Sequence, residues 1–123
     1  MRVTRELLHT GKRFTAIFAF NDVTAMGAIQ ALREAGLRIP KDVSVVGFDD
    51  ILAAATNNPP LTTVHQPLRS MGQEAARTLL GLIRDKDLRP HSAVVTVHPR
   101  FVVRKSTAHV GSPAAASQET PVH

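Results

Sequence analysis

The sequence contains no cysteine, no tryptophan and no tyrosine, and phenylalanine, with five residues, is its only large aromatic side chain. Without cysteine the chain forms neither a disulfide framework nor a thiolate nucleophile, and a reducing compartment is favoured. Aromatic stacking platforms for single-stranded nucleic acid are also scarce. No apolar run has the length of a membrane span, and the first residues lack the apolar segment of a secretory signal. These absences predict a cytoplasmic protein.

The composition that is present is that of one globular domain. The chain has 123 residues, of which 43% are hydrophobic and 20% charged. Its net charge of +5 and its isoelectric point of about 10.8 would suit a nucleic-acid partner. The basic residues, however, are scattered and form no dense run, so a solvated basic surface is favoured over a direct nucleic-acid site.

Hydrophobic patterning in the first half predicts a β-α-β unit. Residues 14–20 and 43–48 are nearly continuous apolar runs, which are typical of buried strands, and we expect the first to lie in the interior of a parallel sheet. Between them, residues 23–35 place apolar side chains at three- and four-residue spacing, which predicts an amphipathic helix. Gly36 then ends this helix. A strand, a helix and a strand with short connections imply a parallel sheet with a right-handed crossover.

Pairs of polar residues follow both predicted strands. In open α/β sheets, ligands bind at the carboxyl ends of the strands. We therefore expect Asp49 to contact a ligand. Asp22 and Asp50 are expected to cap the helices that follow them, because a carboxylate there accepts hydrogen bonds from free backbone amides. Asn21 suits either a strand-to-helix turn or a ligand donor, and both interpretations stay open.

The second half of the chain is predicted to hold further α and β elements. A short helix, an extended segment, an amphipathic helix and two more extended segments are expected at residues 51–56, 61–66, 67–86, 92–98 and 100–105. The long helix carries one apolar face that must be buried somewhere. From residue 108 the small, polar, proline-containing sequence predicts a disordered tail.

The order of motifs over residues 14–107 resembles the effector-binding domain of the LacI/GalR family of bacterial transcriptional regulators, which shares its fold with periplasmic sugar-binding proteins. The motifs follow one another along the chain as AIFAFND (16–22), AMGA (25–28), GLRIPKDVSVVGFDD (36–50), PLTTVHQP (60–67), MG (71–72) and FVVRKST (101–107). Each is weak alone, but their collinear succession is specific. The resemblance implies an α/β, parallel-sheet, periplasmic-binding-protein-like fold of type I, incomplete and mainly the C-terminal subdomain.

The resemblance also implies a domain organisation. Residues 1–13 would be the end of a preceding helix, and residues 14–107 a partial effector-binding domain followed by the tail, 108–123. The helix at residues 67–86 would belong to the N-terminal subdomain, most of which is absent. Since the helix-turn-helix is absent as well, we expect this fragment not to bind an operator. The apolar face of that helix would be left uncovered and prone to association.

In this family, the positions that match Asn21, Asp49 and Gln66 hydrogen-bond a small ligand. A carboxylate accepts from two neighbouring hydroxyls, while an amide both donates and accepts, so the set suits a sugar. The resemblance implies a homodimeric parent repressor, in which effector binding changes how two subdomains close and how the DNA-binding heads are presented.

The sequence holds no motif typical of a catalytic, metal or cofactor site. The six histidines form no close pair at helical spacing, and neither a Gly-x-Ser-x-Gly elbow nor a phosphate-binding glycine loop occurs, so we expect no metal site, no cofactor and no enzyme. Two alternatives stay open. One is a fragment of a periplasmic sugar-binding transport protein. The other is a magnesium or phosphoacceptor site formed by Asp22, Asp49 and Asp50, with Lys105 as a poor cationic partner.

Overall fold

The computed structural model describes residues 1–84 and 94–110. Four helices and four short strands alternate over these residues. In chain order they are α1 (Arg2–His9), β1 (Ala16–Phe18), α2 (Asp22–Glu34), β2 (Ser44–Val46), α3 (Leu52–Thr56), β3 (Thr63–His65), α4 (Leu68–Arg84) and β4 (Arg100–Val102). None of these helices has both the length and the apolar character needed to cross a membrane.

The strands lie side by side in the order β1-β2-β3-β4. β1 and β2 are paired in parallel, and β3 and β4 antiparallel. Two isolated parallel bridges, Val46 to Thr62 and Asp49 to His65, join the two pairs. The predicted β-α-β unit is therefore present, and the carboxyl ends of β1, β2 and β3 lie along the same edge.

The prediction that the first strand lies inside a sheet is wrong for the described part of the chain. β1 pairs with β2 on one side only, and the Phe18 side chain is 69% exposed. An apolar pattern on both faces shows that a strand suits a buried setting. It does not show which neighbouring strands are present to bury it.

The core lies where α2 packs against the sheet. Ala25, Ile29 and Leu32 of α2 meet Val45 and Leu61 in a fully buried cluster, and each fully buried large aliphatic side chain contributes roughly 1.5–3 kcal/mol.

α2 ends as the sequence predicts. Gly36 takes the left-handed conformation with φ of 79°, its amide donates to the carbonyl of Arg33 over 2.9 Å, and the amide of Leu37 donates to that of Leu32 over 3.0 Å. These two hydrogen bonds satisfy carbonyls that the helix leaves free.

Helix α4 carries an apolar face that the described residues do not bury. None of its residues is buried, and Leu68, Leu79 and Ile83 are 60%, 59% and 63% exposed. Val95 and Val97 line a shallow groove beside it, without covering it.

The chain after β4 is tied to the start of β2. The hydroxyl of Ser106 donates to the carbonyl of Val45 over 2.6 Å and accepts from the amide of Thr62 over 2.8 Å. The backbone amide of Ala108 donates to the hydroxyl of Ser44 over 3.1 Å. Residues 85–93 and 111–123 lie outside the described residues. They include the end of the predicted helix at residues 67–86, the start of the predicted extended segment at residues 92–98 and most of the predicted tail.

Candidate functional site

One open cavity lies at the carboxyl ends of the strands. It has a volume of about 600 Å³. Seven residues line it, namely Phe18, Ala19, Phe20, Asn21, Phe48, Asp49 and Gln66. The structure thus brings all three residues predicted to contact a ligand to one cavity. It does so because each follows a strand that ends at the same edge, which is where open α/β sheets bind ligands.

Asp49 and Gln66 form a hydrogen-bonded pair in the cavity wall. The Nε2 of Gln66 donates to the Oδ1 of Asp49 over 2.7 Å. The backbone amide of Asp49 donates to the carbonyl of Val64 over 2.9 Å, which fixes the turn after β2 against β3. The carboxylate of Asp49 retains acceptor capacity at Oδ2, because the hydrogen bond from Gln66 uses only Oδ1.

Asn21 has a structural role and a free donor. It is the N-cap of α2, with φ of −154° and ψ of 175°, and its Oδ1 accepts from the amide of Thr24 over 2.8 Å. The prediction that Asp22 caps this helix is therefore wrong. Asn21, one residue earlier, occupies the N-cap position from which a side-chain oxygen reaches the free amides of the first turn. With Oδ1 engaged, Asn21 can offer a ligand its NH₂ group as a donor.

Phenylalanine side chains form much of the remaining wall. Phe18 and Phe20 are 69% and 88% exposed, and both line the cavity with Phe48. Neither Phe18 nor Phe20 was predicted from the sequence to be a site residue. The signal was available, because residues two apart in a strand point to the same face, and Asn21 follows directly. Exposed aromatic faces beside polar groups suit a ring with apolar faces and polar edges.

Asp22 is fully buried and connects the elements beneath the cavity. Its Oδ1 accepts from the hydroxyl of Thr63 over 2.5 Å, and its Oδ2 accepts from the amide of Ile51 over 2.9 Å. Gly47 leaves room for this carboxylate, because a Cβ at that position would lie 2.2 Å from Oδ1 of Asp22. The glycine before the Phe-Asp-Asp turn is thus required by close approach.

Asp50 does not cap α3, and that prediction is also wrong. The N-cap is Ile51, which makes no side-chain cap bond. The carboxylate of Asp50 instead accepts from Nη2 of Arg104 over 2.6 Å and lies 3.0 Å from Nδ1 of His65. Burial raises the pKa of Asp50, but hydrogen bonds from Arg104 and His65 outweigh that effect and hold the pKa below its usual value.

These contacts do not favour the magnesium or phosphoacceptor alternative. Both oxygens of Asp22 and both of Asp50 have protein partners, and Asp22 is fully buried, so these two carboxylates serve contacts within the fold. The cation beside Asp50 is Arg104, while the predicted Lys105 is exposed. Within residues 1–84 and 94–110, no group of three or more histidine, aspartate or glutamate side chains could hold a metal ion.

Comparison with known proteins agrees with the motif order. The family model described as the periplasmic binding protein-like domain matches residues 2–107. The HTH-type transcriptional repressor PurR of Aliivibrio fischeri, strain ATCC 700601 / ES114, is 43% identical over 102 residues, which cover 83% of this chain and 30% of the relative. The same-named repressor of Escherichia coli O1:K1 / APEC is 43% identical over 107 residues, covering 87% and 31%. The chain thus spans about 30% of the length of the curated relatives it matches.

Solved structures of transcriptional regulators share its fold. The CelR–cellobiose complex superposes with a TM-score of 0.78 at 38% identity, covering 84% of this chain and 31% of that one. The lac repressor dimer bound to operator and the anti-inducer ONPF has a TM-score of 0.79 at 35% identity, covering 88% and 37%. The resemblance drawn from the motifs is confirmed. The chain belongs to the periplasmic binding protein-like domain family, and it is similar to part of LacI-type transcriptional regulators such as PurR, CelR and the lac repressor.

Proposed function

We propose that this chain is the ligand-sensing part of a transcriptional repressor, and that Asn21, Asp49 and Gln66 contact a small sugar-like effector. The observation that carries the proposal is the placement of these three side chains in one cavity at the strand ends. Asp49 accepts from ligand hydroxyls, Gln66 orients Asp49, and Asn21 donates through its free amide group. Phe18 and Phe20 cover the apolar faces of a sugar ring.

The named ligands of similar structures support a sugar. CelR is complexed with cellobiose, and an Arthrobacter regulator of the LacI family, 34% identical to this chain, is complexed with lactose. The alternative of a transport protein is less favoured, because the curated relatives at 43% identity are named transcriptional repressors. A regulator of this kind would act by binding its effector, without catalysis, in line with the repressor names of its relatives.

The complete regulator would act as a cytoplasmic homodimer on DNA. The lac repressor comparison structure is a dimer bound to its operator, and the relatives carry HTH-type in their name. Because the chain spans about 30% of these relatives, DNA binding is proposed for the complete regulator. Effector binding would then shift the equilibrium between two arrangements of the subdomains, which requires different effector affinities in the two states.

The site is tested with a ligand panel and one matched pair of variants. Cellobiose, lactose, glucose, ribose and adenine are titrated into the ¹⁵N-labelled chain while the backbone amide signals are followed by NMR. We expect a sugar to shift the signals of Asn21, Asp49 and Gln66. Asp49→Asn should weaken the binding of that sugar by about 1–3 kcal/mol, because the ligand hydroxyls lose a charged acceptor.

The control is Asp42→Asn, which removes the same charge from a carboxylate that pairs with Arg38 away from the cavity. It should leave the affinity unchanged. Signals at the three residues that stay unmoved by every sugar, or equal affinities for Asp49→Asn and the original chain, would contradict the proposed site. Shifts caused by adenine alone would keep the cavity and replace the sugar by a nucleobase.

A further inference from the structure

Two side-chain contacts join the turn after β2 to the end of β3. On the cavity side, Gln66 donates to Asp49 over 2.7 Å. The chain neighbours of these two residues make the second contact, in which Nδ1 of His65 lies 3.0 Å from Oδ2 of Asp50. Asp49 and Gln66 line the cavity, whereas Asp50 and His65 do not. The contact in the binding site therefore has a counterpart directly behind it.

Arg104, which follows β4, also contacts Asp50. Its Nη2 donates to Oδ1 of Asp50 over 2.6 Å, and its Nη1 donates to the carbonyl of Leu61 over 2.8 Å. The side chains of Arg104 and Asp50 are only 19% and 14% exposed, so this charged pair is weakly screened by solvent. One guanidinium thus ties the turn after β2 to the strand that leads to Gln66.

The backbone explains why the turn needs to be held. Asp49 and Asp50 have φ angles of 110° and 57°, so two consecutive residues with a Cβ lie in the left-handed region. Such conformations persist where surrounding contacts determine them, and they concentrate at functional sites. In this turn the amide of Asp49 is bonded to Val64, and both carboxylate oxygens of Asp50 are bonded to protein.

We propose that Asp50, held by His65 and Arg104, is a positioning residue that fixes the strained turn and so aims the carboxylate of Asp49 at Gln66 and the cavity. The three residues act through Asp49 and touch no effector themselves. The proposal rests on the proposed function in one respect, namely that Asp49 and Gln66 are the effector contacts. It adds a requirement for the donors behind the site.

The test follows the Gln66 side chain and needs no effector. In ¹H–¹⁵N NMR spectra of the full chain, the Nε2 proton signals of Gln66 report on the hydrogen bond to Asp49. Asp49→Gly provides the reference for a broken bond, because glycine accepts the φ of 110° found there. We expect His65→Leu, which has no donor for Asp50, to move the Gln66 signals at least halfway to this reference. His65→Gln, which can still donate, should leave them close to those of the original chain.

His65 suits this test because its side chain is 42% exposed, so its replacement leaves the core intact. The control is His9→Leu on α1, where the imidazole contacts the Arg5 carbonyl and lies far from the turn along the chain. Arg104→Lys provides a second perturbation, since lysine keeps the charge but loses the fork that reaches both Asp50 and Leu61. It too should move the Gln66 signals towards the reference. Gln66 signals unmoved in both His65→Leu and Arg104→Lys would overturn the proposal.

Binding separates this proposal from the proposed function. With the sugar that shifts the spectrum most, we expect His65→Leu to weaken affinity about five-fold or more and His65→Gln by less than about two-fold. In the Asp49→Gly background, His65→Leu should have no further effect on affinity, because the residue through which it acts is gone. If Asp49→Gly loses binding while His65→Leu retains it in full, positioning is refuted and the site stands. If Asp49→Gly leaves affinity unchanged, the assignment of the effector contact fails, whatever the Gln66 signals show.

Discussion

Replacing Gly47 by alanine tests the packing beneath the cavity at the strand ends most directly. The added Cβ would lie 2.2 Å from Oδ1 of Asp22, 2.9 Å from Cδ2 of Leu61 and 3.2 Å from Cα of Asp22. The first distance is well inside van der Waals contact, so an atom must move. The carboxylate of Asp22 cannot swing away freely, because Thr63 and Ile51 hold its two oxygens in a fully buried position.

The expected cost has two parts. Forcing extra volume into a packed site costs roughly 1–3 kcal/mol. Displacing the Asp22 carboxylate also leaves the hydroxyl of Thr63 without its partner in the core, which costs about 1–3 kcal/mol. We therefore expect Gly47→Ala to lower the free energy of unfolding by about 2–6 kcal/mol. This is a large share of the roughly 5–15 kcal/mol that stabilises an ordinary domain.

Urea unfolding followed by circular dichroism at 222 nm measures this loss. The chain has no tryptophan or tyrosine, so intrinsic fluorescence is not a useful signal. With an m-value of about 2 kcal/mol/M, the midpoint should fall by about 1–3 M. Gly72→Ala is the matched control, because a Cβ there meets nothing within 4 Å. Alanine in the interior of α4 should be neutral or stabilising by up to about 1 kcal/mol.

The double variant tests the cause of the loss. Asp22→Ala removes the atom closest to the added Cβ, so it should cost much less in the Gly47→Ala background than in the original chain. Additive losses would show that the two positions are not coupled through this contact. A midpoint for Gly47→Ala equal to that of Gly72→Ala would refute the reasoning altogether.

Three further outcomes are expected. Asn21→Ala should lower stability by about 0.5–2 kcal/mol in the same urea assay, and Asn21→Asp should not, because aspartate also caps helices. Asp42 and Asp50 have lowered pKa values in the folded chain, about 2 for Asp42 because Arg38 donates hydrogen bonds to it. The stabilisation from Asp42 is therefore present above roughly pH 4 and lost as pH falls towards about 2, and that from Asp50 is lost as pH falls through its own lowered pKa. Melting temperatures should drop on acidification, and Asp42→Asn should flatten the drop between about pH 4 and 2. Leu79→Gln, at a side chain 59% exposed, should change stability by less than about 1 kcal/mol, whereas Leu32→Ala, at one 0% exposed, should cost about 2–5 kcal/mol. A concentration-dependent loss for Leu79→Gln would instead show that α4 is covered by a second copy.

Local sequence signals were sufficient to predict β1, β2 and α2 and the sheet edge at which the candidate site lies. The apolar runs predicted β1 and β2, the three- and four-residue spacing predicted α2, and Gly36 marked its end. Asp49 and Asn21 follow these strands directly, so their place at the strand ends could be predicted from the parallel arrangement alone. Gln66 was predicted from the family resemblance, since its local sequence holds no such signal.

The partners of individual side chains could not be predicted in this way. Asp22 and Asp50 each precede a helical segment, and local sequence favours a capping role for both. In the structure Asn21 caps α2, whereas Asp22 accepts a hydrogen bond from the hydroxyl of Thr63, which lies 41 residues away in the chain. Asp50 pairs with the guanidinium of Arg104, which lies 54 residues away in the chain.

The sequence by itself determined the family, the order of the elements and the three residues at the cavity, because periodicity and motif order are properties of neighbouring residues. Only the tertiary structure decided which carboxylate is buried, which is paired with a cation and which stays available in the cavity wall. Those outcomes depend on groups distant in the chain that meet after folding. Desolvation and charge-assisted hydrogen bonding then set the role of each carboxylate.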